Sequence, residues 1–193
     1  MMRRGLPVPY SNEDLKVAEL AEALALACGT GTATASLIGE AAALHDVGKF
    51  RVSSHILNKP GKLSPCEHKA IKTHTIWGAN MLIGFPGAVG IMARDIALYH
   101  HEKFDGTGYW GKRTNELPFY VHIATICDVY VALISSRPYK RGWASNEALD
   151  YIKTQAGKHF SPVLAHMFIK LMREQNGGGY FGPTWPEVRG GGL

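Results

Sequence analysis

A chain of 193 residues, 46% of them hydrophobic, is long enough to bury a self-sufficient core, and we expect one domain. The formal charge of +5 and the pI near 9.1 favour an anionic partner such as a nucleotide, but the basic residues are scattered, so no DNA binding is expected. Three widely spaced cysteines and the lack of a run of about 18 apolar residues exclude a disulfide framework and a membrane span, and predict a cytoplasmic protein.

Helix signals begin near the N-terminal end of the chain. Ser11 or Asn12 is the expected N-cap of a first helix, rich in alanine and leucine, that runs to Cys28. After a short glycine-threonine connector, the apolar pattern predicts a second helix over residues 35–44, and Gly48 is expected to end it.

The next helix carries the clearest start signal in the sequence. Ser64, Pro65 and Glu67 supply an N-cap, the proline favoured at the first helical position and the acidic residue of a capping box. Four residues then recur at three- and four-residue intervals and predict one inward face: Ala70, His74, Trp77 and Met81. His74 is therefore expected to face the core.

Four further helices are predicted towards the C-terminal end. One covers about residues 87–102 and is followed by a glycine-rich loop through Gly111. Pro118 opens a long apolar helix, and Ser145 and Ser161 cap two more.

No stretch of useful length alternates between apolar and polar residues, so the predicted fold class is all-α, a helical bundle. The chain divides into a lead of residues 1–11, a single domain over residues 12–176, and a glycine-rich tail over residues 177–193. The tail lacks periodicity and is expected to be mobile.

Histidines and aspartates are spaced so that each successive helix supplies one group. The candidates are His45, Asp46, His74, His100, His101 and Asp128. Asp128 lies inside an apolar run, where a bare buried carboxylate would cost on the order of several kcal/mol, so it must be paired, protonated or bound to a cation. Imidazoles and carboxylates brought together from separate helices are suitable ligands for a divalent metal centre at the middle of the bundle.

Each candidate also has an ordinary structural interpretation. The pair at His45 can be a capped helix end without a metal, and the pair at His100 can offset the dipole at a helix C-terminus. His74 can be a core histidine with a satisfied hydrogen bond, and Asp128 can pair with a buried lysine or arginine. The positions of these residues relative to one another favour the metal centre.

The motifs resemble those of the HD-GYP family, which are cyclic di-GMP phosphodiesterases of the wider HD superfamily. The likeness covers roughly residues 12–172 and rests on several motifs in the expected order. They are His45-Asp46-Val47-Gly48-Lys49, residues 58–63, His74, the run from His100 through Asp105 to Tyr109, Asp128, and Arg137-Pro138-Tyr139-Lys140.

The resemblance implies a fold, a cofactor and a set of site residues. It implies two divalent ions, iron or manganese, with Asp46 bridging them, and as ligands His45, Asp46, His74, His100, His101 and Asp128. Lys49 would steady the scissile phosphate, while Arg137 and Lys140 would contact the phosphates or guanine edges of the dinucleotide. The substrate entrance would be shaped by a loop that contains Asp105, Gly108, Tyr109 and Trp110.

The sequence departs from the family pattern at several positions. No histidine precedes His45, and Glu13 can donate an oxygen in place of the usual first-helix histidine, or that corner of the site is open. Trp110 replaces the proline that ends the family tripeptide, and either packs the loop or stacks on a guanine or a partner protein. His122 and Ser161 stand where the family commonly has arginine and aspartate.

Three functions follow from this pattern. The first is metal-dependent hydrolysis of cyclic di-GMP to linear pGpG, with onward hydrolysis to GMP left open. The second is a nucleotide receptor or protein-interaction module with little or no turnover, working with a partner such as a diguanylate cyclase. The third is an HD-superfamily phosphohydrolase for another nucleotide, which the Gly108-Tyr109 loop and the segment Arg137-Pro138-Tyr139-Lys140 argue against.

Overall fold

The computed structural model describes residues 10–136 and 141–177. Within those residues the chain forms eight α-helices: α1 (Asn12–Ala27), α2 (Thr32–Ala42), α3 (Ser54–Leu57), α4 (Pro65–Met81), α5 (Gly87–Tyr99), α6 (Phe119–Ile134), α7 (Ser145–Thr154) and α8 (Pro162–Gly177). Short 3-10 helices lie at Val47–Arg51 and Thr114–Glu116. Arg137, Lys140, the first nine residues and the tail beyond residue 177 lie outside the described residues.

The helices pack as a bundle around α1 and α6. α1 lies against α2 and α6, α2 against α5, and α5 against α4 and α6, while α7 and α8 close the far side. Leu24, Ile38, Ile96, Ile123 and Phe168 are fully buried at these contacts. Each such side chain contributes about 1.5–3 kcal/mol of transfer free energy, so the contacts between helices supply most of the stability of the bundle. The predicted all-α class is confirmed.

Local capping chemistry sets the starts of α1 and α4 where the sequence predicts them, whereas the N-cap of α7 is Ala144 and not the predicted Ser145. The Oγ of Ser11 accepts the backbone N–H of Asp14, and the Asp14 carboxylate accepts the backbone N–H of Ser11. Ser64 and Glu67 form the same reciprocal pair at the start of α4. Pro118 is the N-cap of α6, which removes an N–H that a helix start would leave unpaired.

The second predicted helix differs in position and in how it ends. α2 begins at Thr32 and stops at Ala42, and Gly48 lies inside the following 3-10 helix instead of ending α2. A Cβ on Gly48 would lie 1.9 Å from the backbone oxygen of His74 and 2.4 Å from the backbone nitrogen of Gly78. Glycine is needed here because the chain passes directly against α4, a tertiary contact that no local pattern encodes.

Outside the helices, the described part of the chain contains one isolated backbone bridge, Ala156 with Phe160, and no β-strand. Among the described residues no helix combines the length and the apolar character needed to traverse a bilayer.

Candidate metal centre

Two groups of metal-ligand atoms lie at the centre of the bundle. His74 on α4 joins His100 and His101 at the end of α5, and the three offer ligand atoms within 4.8 Å of one another. Asp14 of α1 joins His45 and Asp46 in a second group that meets the same 4.8 Å limit. The structure therefore brings together groups from four separate stretches of the sequence.

Three imidazoles are oriented by their own backbone. The Nδ1 of His45 lies 2.9 Å from the oxygen of Ala42, and the Nδ1 of His100 lies 3.0 Å from the oxygen of Ile96. These two carbonyls belong to the last turns of α2 and α5, and each also accepts the backbone N–H of the same histidine. The Nδ1 of His74 lies 2.6 Å from the oxygen of Ile71. Because a carbonyl only accepts, Nδ1 carries the hydrogen and Nε2 points into the cluster.

Asp46 lies between the imidazoles. Its Oδ2 is 3.1 Å from the Nε2 of His45, and its Oδ1 is 3.4 Å from the Nε2 of His74 and 3.7 Å from the Nε2 of His100. The Oδ1 atom is buried and has no hydrogen-bond partner among the described residues. The two histidine nitrogens facing it are themselves 3.4 Å apart. Several electron-pair donors thus converge on one small volume.

Asp128 on α6 adds a second carboxylate beside His45. Its Oδ1 lies 3.6 Å from the Nε2 of His45. Burial alone would lower the pKa of His45, but Asp46 and Asp128 outweigh it and raise that pKa well above its ordinary value. The buried carboxylates therefore favour a positive charge at this point, which a proton on His45 or a bound cation can supply.

The other imidazoles are neutral. Burial, together with the charge of His45, lowers the pKa of His100 to about 3, and burial with the influence of His100 lowers the pKa of His101 to about 2. Burial also lowers the pKa of His74. Neutral imidazole is the form that binds metals, so these side chains are ready to coordinate without losing a proton.

The residues present fit a divalent cation. The buried Asp46 Oδ1 is an acceptor without a donor, and the neutral Nε2 atoms of His74 and His100 face it. A cation would satisfy all three atoms at once. Mixed imidazole and carboxylate ligands suit iron, manganese or zinc, and the ligand set alone does not distinguish them.

The acidic residue of α1 that reaches the cluster is Asp14, whereas Glu13 belongs to neither group of ligand atoms. Asp14 Oδ1 lies 3.8 Å from the Nδ1 of His45. A signal for Asp14 was present in the sequence, because it lies three, four and seven positions before the buried Val17, Ala18 and Ala21. The likeness to the family at one position pointed to Glu13 instead and took no account of this burial pattern.

The residues predicted to meet a substrate fall into two sets. The Nζ of Lys49 contacts Oδ2 of Asp46, and the ring of Tyr109 lies 4.5 Å from that of His101. The Asp105 carboxylate, by contrast, is exposed and accepts the backbone N–H and hydroxyl of Thr107, which turns the loop. Gly108 allows the loop to pass directly against the backbone of Glu102, since a Cβ on Gly108 would lie 2.5 Å from the Cα of Glu102.

One buried charge was not predicted from the sequence. Glu102 is 1% exposed, and its carboxylate accepts the backbone N–H groups of Trp110 at 2.6 Å and Lys112 at 2.7 Å. Nothing in the sequence marks it as buried, because an acidic residue after a helix is usually solvated.

The described residues thus form an all-helical bundle that gathers histidines and aspartates from separate helices into candidate metal-binding groups. The chain belongs to the HD domain family, whose profile matches residues 5–164. The family likeness predicted from the motifs is thereby confirmed.

Several curated proteins are similar to this chain. A cyclic di-GMP phosphodiesterase of Pseudomonas aeruginosa is 41% identical over 135 residues, which are 69% of this chain and 32% of that protein. The 3'3'-cGAMP-specific phosphodiesterase 2 of Vibrio cholerae is 35% identical over 156 residues, 80% of this chain and 30% of that protein. A cyclic di-GMP phosphodiesterase of Thermotoga maritima is 38% identical over 135 residues, which are 69% of this chain and 37% of that protein. The chain thus spans about a third of the length of these relatives.

Solved structures share the fold. Bd1817, an HDG"Y"P protein from Bdellovibrio bacteriovorus, aligns with a TM-score of 0.68 at 22% identity and covers 86% of this chain and 53% of its own. The PgpH HD domain of L. monocytogenes in complex with cyclic-di-AMP aligns with a TM-score of 0.58 at 19% identity, over 88% of this chain and 92% of that one.

Proposed function

We propose that this chain is a metal-dependent phosphodiesterase that hydrolyses a cyclic dinucleotide, and that its substrate is cyclic di-GMP. The names of the similar proteins support the reaction class, since they are phosphodiesterases for cyclic di-GMP or for 3'3'-cGAMP. The narrower choice of cyclic di-GMP, with linear pGpG as product, rests on the motif likeness. The same assay measures GMP, which is the product of onward hydrolysis.

The observation that carries the proposal is the position of Asp46. Its two oxygens face His45 on one side and His74 and His100 on the other, and one of them is buried without a donor. A carboxylate placed in this way would help to hold divalent cations, of which the motif likeness implies two. When bound, divalent cations would supply Lewis acidity and activate water for attack on the phosphodiester.

The side chains of this chain have three tasks in that reaction. His74, His100 and His101 are held neutral by burial and act as nitrogen ligands. Asp46, Asp128 and Asp14 balance the charge of the bound cations, in keeping with their contacts to His45. These contacts hold the site in place before substrate arrives, which reduces the reorganisation that the reaction requires.

Lys49 is the candidate for contact with the phosphate. Its amine is bound to Asp46 yet the side chain is 41% exposed, so it lies at the boundary between the cluster and solvent. A cation bound at Asp46 would compete with the amine, which would then be available to a phosphate oxygen. Asp46 and Lys49 are thus the proposed catalytic pair, and contacts from Arg137 and Lys140 remain predictions.

Hydrolysis with purified protein tests the proposal. We expect protein loaded with Mn²⁺, or with Fe²⁺ under anaerobic conditions, to convert cyclic di-GMP to pGpG, measured by chromatography beside 3'3'-cGAMP. Asp46→Asn should lower bound metal and reduce turnover by at least about a hundredfold, because the bridging charge is lost. Asp150→Asn, on the exposed side of α7, is the matched control and should behave as the unmodified protein.

Three results would exclude or redirect the proposal. Full activity of Asp46→Asn would exclude the mechanism. Tight binding of cyclic di-GMP without product under either metal would favour the receptor or interaction module, for which a diguanylate cyclase is the predicted partner. Cleavage of 3'3'-cGAMP in preference to cyclic di-GMP would keep the reaction class and change the substrate.

A further inference from the structure

The loop after the histidine pair is tied down by a buried carboxylate. Glu102 follows His101 directly and is nearly inaccessible to solvent, and its two oxygens accept the backbone N–H groups of Trp110 and Lys112. Charge-assisted hydrogen bonds of this kind are about twice as strong as neutral ones. These two hydrogen bonds therefore close residues 103–113 into a loop whose far end is held against the end of α5.

A second tie joins this loop to α4. The indole Nε1 of Trp110 donates to the Oγ1 of Thr75 at 3.2 Å, and Thr75 is fully buried beside His74. The Thr75 hydroxyl donates in turn to the oxygen of Lys72, so its lone pair is directed to the indole. Trp110 therefore links the loop to the helix that carries one of the central histidines.

Tyr109 directly precedes Trp110, the residue that takes part in both ties. Its ring centroid is 4.5 Å from that of His101, and the Nζ of Lys72 is 4.7 Å from the same ring. The close fit at Gly108 leaves the backbone no room to move towards Glu102. The aromatic ring is thus fixed on the edge of the histidine cluster.

We propose that Glu102 and Trp110 are positioning residues that hold the 103–113 loop so that Tyr109 forms a fixed wall of the substrate entrance beside His101. Proline ends the corresponding tripeptide in the family and fixes one backbone angle. In this chain the tryptophan fixes the loop through its side chain instead. The assignment rests on the proposed function for its kinetic consequence, whereas the clamp itself is a property of the fold.

Hydrogen exchange tests the clamp without any assay of activity. In the Mn²⁺-loaded full chain, Glu102→Gln retains one acceptor and turns an amide NH₂ towards the other backbone N–H. We expect amide exchange in residues 103–113, measured by mass spectrometry, to become at least about tenfold faster. Glu147→Gln is the matched control, because the exposed Glu147 also accepts a backbone N–H, that of Ala144 at 2.8 Å, and it should leave this loop unchanged.

The second tie is tested by a double-mutant cycle. Trp110→Phe removes the donor and Thr75→Val removes the acceptor, and each should speed loop exchange by a similar factor. Because both remove the same hydrogen bond, the double variant should exchange no faster than the single ones. Independent, multiplying effects in the double variant would overturn the link between Trp110 and Thr75.

Kinetics then separate positioning from general damage. Glu102→Gln should raise KM for cyclic di-GMP several-fold while kcat and bound Mn²⁺ stay within about twofold of the unmodified protein. Unchanged exchange, or faster exchange with unchanged KM, would overturn the proposal. If the unmodified protein shows no turnover, the proposed function fails, and the Kd for cyclic di-GMP from calorimetry replaces KM as the measure of positioning.

Discussion

At the scale of single residues, Gly48 shows how closely the chain carrying the histidine-aspartate pair approaches α4. The missing side chain leaves room for the backbone of His74 and Gly78, and any Cβ would overlap both. The position of Asp46 relative to His74 therefore depends on a residue that has no chemistry of its own. Only two residues separate the glycine from His45, so a shift at Gly48 would reach the cluster directly.

We expect Gly48→Ala to lower the free energy of unfolding by about 1–3 kcal/mol, since α4 must move to accept the methyl group. It should also weaken Mn²⁺ binding, because His74 moves with α4. Urea unfolding and isothermal titration measure the two effects. Gly31→Ala is the control, as its Cβ would meet nothing within 4 Å, and a loss as large in that variant would contradict the packing explanation.

At the scale of helices, α4 combines a local start signal with a distant functional residue. Ser64 and Glu67 exchange hydrogen bonds at its first turn, whereas His74 lies two to three turns further along. Capping stabilises the helix without touching the cluster. Stability and metal affinity can therefore be altered separately in this helix.

Ser64→Ala should lower the free energy of unfolding by about 1 kcal/mol, because the Oγ that accepts the N–H of Glu67 is removed. Denaturant unfolding of the metal-free protein measures it, and Mn²⁺ affinity should not change. Ser53 is the N-cap of α3 but makes no capping hydrogen bond with its side chain, so Ser53→Ala should fall within about 0.5 kcal/mol of the unmodified protein. Equal losses in both variants would argue against the cap.

The same contrast explains what the sequence could and could not predict. Caps at Ser11 and Ser64 depend on residues three positions apart, and the structure reproduces these local signals. The stripe predicted through His74 is correct for that histidine but wrong for Trp77, which is exposed because the buried face of α4 runs through Thr75, Gly78 and Ala79. The end of α2 at Ala42 and the burial of Glu102 depend on how the following chain packs, in the second case on backbone N–H groups eight and ten residues further along. No propensity encodes such contacts, and sequence reasoning misplaced the first and missed the second.

The same limit applies to the candidate site. The six histidines and aspartates are recognisable because their types and spacing are unusual, and they do lie together in the structure. The choice between neighbouring acids in α1 was finer than a motif comparison allows. It depends on which side of α1 faces α2 and α6, and Asp14 lies on that side.

At the scale of the whole molecule, the cluster ties together helices that otherwise meet mainly through apolar side chains. α1, α4, α5, α6 and the chain after α2 each provide at least one group. A bound cation would act as a common point of attachment for these elements. Metal binding and folding should therefore be coupled, because an unfolded chain offers no preformed set of ligands.

We expect metal removal to lower the melting temperature. At a free Mn²⁺ concentration about a hundredfold above Kd, binding stabilises the fold by about 2.7 kcal/mol, which for a domain of this length is roughly 5–10 °C. Differential scanning calorimetry with and without a chelator measures the shift. The shift should be largely absent in Asp46→Asn, and identical melting of the unmodified protein in both conditions would exclude a structural metal centre.

His45 and His100 each close a helix with the nitrogen that does not face the cluster. Replacing either one removes a side-chain hydrogen bond to a terminal carbonyl at the same moment as it removes a group of the proposed metal centre. A substitution that inactivates the domain at either histidine should therefore also lower its folding stability. The side chain of Lys49 is 41% exposed at the edge of the cluster, and we expect degenerate copies to lose it before they lose these two histidines.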